Sequence, residues 1–130
     1  MKLLVPILVV SILIVSGCVG QTQEQPDELL TAVTIEMNDG GFSPSTVTLA
    51  KGGTITFKNI GTEDHWPASA VHPVHRQYPE GNGCIGSAFD ACEGIAPGGE
   101  WSFKFDHVGV WGYHDHLNSP SRGVIEIVEN

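Results

Sequence analysis

From residue 31 to the C-terminus the apolar residues recur at every second position, and that period commits the chain to β-sheet. Val33, Ile35 and Met37 alternate with Thr34, Glu36 and Asn38, and Ile55 and Phe57 alternate with Thr54, Thr56 and Lys58. Trp101, Phe103 and Phe105 are spaced by Ser102 and Lys104, and Ile125 and Ile127 flank Glu126. A strand sends successive side chains to opposite faces, so this alternation gives each strand one buried and one wet face. Turn signals separate the runs: "NDGG" at 38–41, Pro44, "KGG" at 51–53, "APGG" at 96–99 and "HVG" at 107–109. No stretch of helical periodicity reaches ten residues. The economical architecture is all-β, a Greek-key β-sandwich or barrel occupying residues 31–130. One long irregular stretch, 59–99, interrupts the strands. It holds "DHWPASAVHPVHRQYPEGNGC", and an irregular segment of that length inside a small domain implies a function.

The front of the chain has a different character. Residues 1–17 carry one charge, Lys2, followed by an apolar run from Leu3 to Val15. That run is too short to span a bilayer with ease and fits the apolar region of an export signal. It ends in Val15-Ser16-Gly17-Cys18, which resembles the lipobox of prokaryotic lipoproteins, in which Cys18 becomes the acylated N-terminus. The competing reading is an uncleaved anchor with an incidental cysteine. Residues 18–30 then form a polar tether, and the domain belongs outside the cytoplasm, held to the cell-envelope membrane by lipid. Removing residues 1–17 takes away one cation and no acid, so the formal charge goes from −9 to −10. Such an acidic surface excludes nucleic acid as a partner and opposes direct adhesion to anionic lipid.

With Cys18 assigned to lipid, Cys84 and Cys92 remain as an even pair in an oxidising compartment. A disulfide is expected, contributing about 2–3 kcal/mol by closing a short loop. The alternative is that one of them is a thiolate metal ligand.

The stretches "GFSPSTVTLAKGGTITFKNIG", "APGGEWSFKFDHVGVWGYHDH" and "RGVIEIVE" together resemble the cupredoxins, the plastocyanin-like copper proteins, over residues 31–129. The resemblance implies an antiparallel-rich β-sandwich with a metal at one end. It further implies an early histidine ligand after the strand ending in Asn59, here His65, with the remaining ligands in the loop joining the last two strands. The chain departs from the blue-copper pattern in that loop. His114 stands where a cysteine follows the tyrosine, His116 is two residues on rather than three, and Arg122 precedes the final Gly123 where a methionine is usual. Thiolate and thioether are both missing, leaving an all-histidine "YHDH" variant.

His114 and His116, two residues apart on a strand, share one face with Asp115 on the other, and their imidazoles can converge on one ion from backbones about 6–7 Å apart. His65 is the third ligand by family position. His72 or His75 can supply a fourth, because "HPVH" lies in the loop that must cover the same end. His107 opens the strand, at the far end, and is excluded. Asp64 and Asp115 flank the ligands and either can orient an imidazole. Trp66 and Trp111 are expected in the core or as apolar shielding of the metal. Imidazole ligation selects copper over zinc at equal geometry. The expected function is copper binding, delivery or redox exchange with a protein partner. The competing readings are a small type-2-like copper oxidoreductase with an open coordination position and a metal-free β-sandwich binding module.

Overall fold

The computed structural model describes residues 28–130. The expected signal segment 1–17, the lipidated Cys18 and the tether as far as residue 27 lie outside the described residues. Eight strands follow one another: β1 (Ala32–Asn38), β2 (Gly41–Ser43), β3 (Thr46–Ala50), β4 (Gly53–Asn59), β5 (Pro67–Ser69), β6 (Glu100–Phe105), β7 (Gly109–Asp115) and β8 (Asn118–Val128). They form two four-stranded sheets, ordered β2-β1-β4-β6 and β3-β8-β7-β5. The β1–β4 and β3–β8 pairs are parallel and the other neighbours antiparallel. The all-β Greek-key sandwich expected from the alternation is the observed fold.

The alternating residues make the core. Ile35, Met37, Leu49, Ile55, Phe57, Phe105, Ile125 and Ile127 are each no more than 1% exposed, whereas Thr34, Glu36, Lys58 and Glu126 face solvent. Phe57 sits among aromatic rings, with centroids 5.5 Å from Tyr113, 5.8 Å from Trp101 and 6.0 Å from Phe89. Edge-to-face and stacked pairs at these distances add to the apolar burial that drives folding.

The irregular stretch is not loose. Residues 89–91 run along β5 as an added edge, with the Ser69 amide donating to the Phe89 carbonyl and the Ala91 amide to that of Pro67 (2.8 and 3.0 Å). Tyr78 and Phe89, both buried, drop from this segment into the core. The Tyr78 amide donates to Ser69 Oγ at 2.8 Å, and its hydroxyl accepts from the Asp106 amide at 3.0 Å. Cys84 and Cys92 are joined in the expected disulfide, with Cα atoms 5.8 Å apart. Gly86 lies so close to the carbonyls of Val74 and His75 that any Cβ there would collide with backbone. The segment 70–92 is thus pinned at both ends and folded tightly on itself between them, and it carries two of the histidines.

Candidate metal centre

β7 delivers the first half of the site. Tyr113 turns inward to the core, so His114 must turn outward, Asp115 inward again and His116 outward just past the strand end. The amide of His116 donates to the Trp66 carbonyl at 2.7 Å, which fixes the chain at that point despite a register irregularity between His114 and Asp115. The second half comes from the 70–92 segment lying over this face. His72 and His75 descend on His114 and His116, and one ring nitrogen of each of the four lies within 4.8 Å of the others. His72 Nδ1 is 3.2 Å from His114 Nε2, and His75 Nε2 is 2.9 Å from His116 Nδ1.

Those spacings suit an ion. With metal–nitrogen bonds of about 2.0–2.1 Å, adjacent imidazole nitrogens stand about 2.9 Å apart in a square arrangement and about 3.3 Å apart in a tetrahedral one. The electrostatics also favour it. Burial, reinforced by the facing imidazoles of His75, His72 and His116 and by Arg122, pushes His114 down to about 4 from an ordinary 6.5. Burial, then His75 and His72, lowers His116 as well. Both rings are therefore neutral at pH 7, the form that binds metal.

One imidazole is oriented from behind. His75 is fully buried, with its backbone in the left-handed region (φ 47°). Its Nδ1 donates to Asp90 Oδ2 at 2.6 Å. The other oxygen of Asp90 accepts from Trp66 Nε1 at 2.6 Å and from the Cys92 amide at 2.8 Å. A carboxylate can only accept, so Asp90 fixes the proton of His75 on Nδ1 and leaves Nε2 with its lone pair toward the cluster. Trp66 completes the enclosure, its ring centroid 4.4 Å from that of His116.

His65 is not part of this group, and its expected partnership with His114 and His116 is corrected here. The reason is strand parity. Asp115, between the two cluster histidines, points the other way, and it is Asp115 that His65 meets, Nδ1 to Oδ2 at 2.8 Å. His65 Nε2 lies 3.4 Å from Asp39 Oδ1. Asp39 also accepts from the Thr62 hydroxyl and the amides of Thr62 and Glu63, which hold it at about 2. A cleft of about 510 Å³ opens over His65 between Asp39, Glu63 and Asp64, so Asp64 faces this cleft and orients no cluster imidazole. His107 contacts Tyr78 and Glu80, away from the cluster. Trp111 packs on Tyr78, in the core fringe rather than around the histidines.

The sequence reading missed Asp90. It lies between the paired cysteines in "FDACEG", and no spacing rule ties it to a histidine fifteen residues earlier. The fold of the disulfide loop alone brings them together. Among the described residues no sulfur reaches the site, since Cys84 and Cys92 are bonded to each other and Met37 is buried in the core.

No protein-family profile and no curated protein matches the sequence. Solved structures do match in shape. A purple cupredoxin from Nitrosopumilus maritimus superposes with a TM-score of 0.60 at 16% identity, covering 74% of this chain and 99% of that one. An amicyanin variant in its Cu(I) form gives 0.58 at 16% identity, covering 75% and 82%. A Cu-containing nitrite reductase from Thermus scotoductus SA-01 gives 0.58 at 18% identity, with 76% of this chain matching only 23% of that much longer one. The order of strands, their two-sheet packing and these superpositions agree that the chain has the cupredoxin fold.

Proposed function

We propose that this protein binds copper at His72, His75, His114 and His116, and does so as a lipid-anchored protein outside the cytoplasm. The observation that carries the reading is the convergence of four imidazole nitrogens within 4.8 Å of one another, one of them backed by a buried carboxylate. Nitrogen-only ligation suits copper ahead of zinc at equal geometry, and copper is named in the amicyanin and nitrite reductase structures that share the fold. Bound there, copper supplies a redox-active centre without a thiolate to stiffen it. The chain's own residues do the rest. Asp90 presents the His75 lone pair, burial keeps His114 and His116 unprotonated, and Trp66 covers one flank. Four donors can close the coordination sphere, which favours holding and passing on the ion over presenting it to a substrate. The apolar run of residues 3–15 and the lipobox-like Val15-Ser16-Gly17-Cys18 support that role at the envelope membrane, with a copper-exchange or redox protein as partner.

The test is copper titration of the full chain in detergent against a chromophoric competitor. One copper per chain is expected, and His72→Ala with His75→Ala should weaken it as much as His114→Ala with His116→Ala, by at least tenfold. Cu(II) should show tetragonal electron paramagnetic resonance and no intense thiolate charge-transfer band. Full-strength binding in either double variant sinks the assignment.

A further inference from the structure

Beside the cluster lies a second cavity, of about 310 Å³, at the small end of the range for organic ligands. Its floor is the outer face of β7 and β8, where Gly112 pairs with Val124 and His114 with Arg122, and its far wall is Ala70, Val71 and Gln77. No carboxylate lines it, in a chain whose formal charge is −9. Two polar groups at this cavity are uncommitted. Among the described residues the Arg122 guanidinium makes one hydrogen bond, Nε to the Ser119 carbonyl at 3.2 Å. His114 is 2% exposed, and while its Nε2 faces His72, its Nδ1 is buried with no partner. His75 and His65 each place Nδ1 on a buried carboxylate, although His65 Nε2, over the other cleft, is also buried without a hydrogen-bond partner, and a buried N–H without an acceptor costs about 1–3 kcal/mol.

We propose that this cavity binds a small organic carboxylate, which accepts from Arg122 and from His114 Nδ1–H and lays its apolar body against Ala70, Val71 and Val124. The site is incomplete in the way a carboxylate would repair. It offers a fixed cation, a buried imidazole nitrogen without a partner, an apolar wall and a glycine floor where a side chain at position 112 would meet Gln77. The cavity does not depend on the metal reading, but a coupling to it follows. A metal on His114 Nε2 fixes the proton on Nδ1 and makes it a stronger donor, as an acceptor behind a ligating imidazole strengthens the ligand in turn. Carboxylate and copper must then raise each other's affinity by the same factor.

Benzoate is the probe, titrated calorimetrically into the full chain in detergent, first metal-free. One benzoate per chain should bind, with Arg122→Gln weakening it at least tenfold and Arg122→Lys less, because lysine keeps the charge without the fork. Arg122 is exposed, and circular dichroism of both variants checks that they fold. Benzyl alcohol should bind far more weakly than benzoate, and inorganic phosphate more weakly too, for want of an apolar body. No benzoate binding, undiminished binding in Arg122→Gln, or equal binding of benzyl alcohol or phosphate overturns the proposal. Loading copper should tighten benzoate severalfold, and equal affinity with and without copper removes His114 from the site. A chain that takes benzoate through Arg122 yet binds no copper refutes the metal reading and leaves the cavity standing.

Discussion

Replacing Asp90 by Asn changes one heavy atom and almost no volume, yet it should weaken the hold on a metal that Asp90 itself does not contact. The carboxylate accepts three hydrogen bonds, two on Oδ1 from Trp66 Nε1 and the Cys92 amide and one on Oδ2 from His75 Nδ1. An Asn side chain keeps the two-donor side by placing its oxygen there, and its NH2 then faces His75. Two donors cannot share that contact, so His75 moves its proton to Nε2, the nitrogen that should hold the metal. Binding copper requires the proton to return to Nδ1, leaving two buried donors opposed at a cost of about 1–3 kcal/mol. A copper affinity lower by about 10- to 100-fold follows, or about 1.4–2.7 kcal/mol. Competition against a chelator measures the affinity. Long-range ¹H–¹⁵N correlation on the metal-free protein reads the tautomer of His75 directly. Asp64→Asn, at an exposed carboxylate over the other cleft, is the matched control and should change neither. Wild-type affinity in Asp90→Asn, or a His75 ring still protonated on Nδ1, would refute the reasoning.

Three further outcomes are expected. His65→Ala leaves copper affinity within about threefold of wild type but lowers stability by about 1–3 kcal/mol, because buried Asp115 loses an imidazole donor; denaturant unfolding and the same copper competition separate the two. Acidification should destabilise the metal-free domain and expel metal in the same direction. His114 sits at about 4 when folded against 6.5 ordinarily, so its stabilisation is complete above pH 6.5 and is lost as pH falls toward 4, which thermal unfolding across that window should show, with no loss on going from pH 7 to 8 from this group. Full-length protein should incorporate labelled fatty acid and sediment with membranes, and a Cys18→Ser variant that labels equally well contradicts the lipid anchor.

The period-two alternation was enough to read the sandwich because its physics is local: each strand's burial is written in its own residues, as in Ile55 and Phe57 against Thr54 and Lys58. The pairing of His114 with His116 was legible for the same reason, as was the opposite direction of Asp115. What parity could not say was which partner waits on each face. Family position assigned His65 to the imidazole side, and the fold gives it to Asp115 instead. His72 and His75 were visible as candidates, but their descent onto β7 depends on Tyr78, Phe89 and the Gly86 approach to the Val74 and His75 carbonyls, contacts with no periodic signature. Asp90 was illegible because its role exists only once residues 89–91 lie along β5.

The disulfide has a consequence beyond stapling a loop. Cys92 gives its amide to the same carboxylate that governs the His75 proton, so sulfur oxidation and imidazole tautomer are two ends of one short lever. With the thiols reduced, Tyr78, Phe89 and the edge on β5 still anchor the segment that carries His72 and His75, but the Cys92 end of the Asp90 contact loses its staple. Reducing the disulfide should therefore weaken copper binding by freeing the carboxylate behind His75, not by releasing the histidines from the fold.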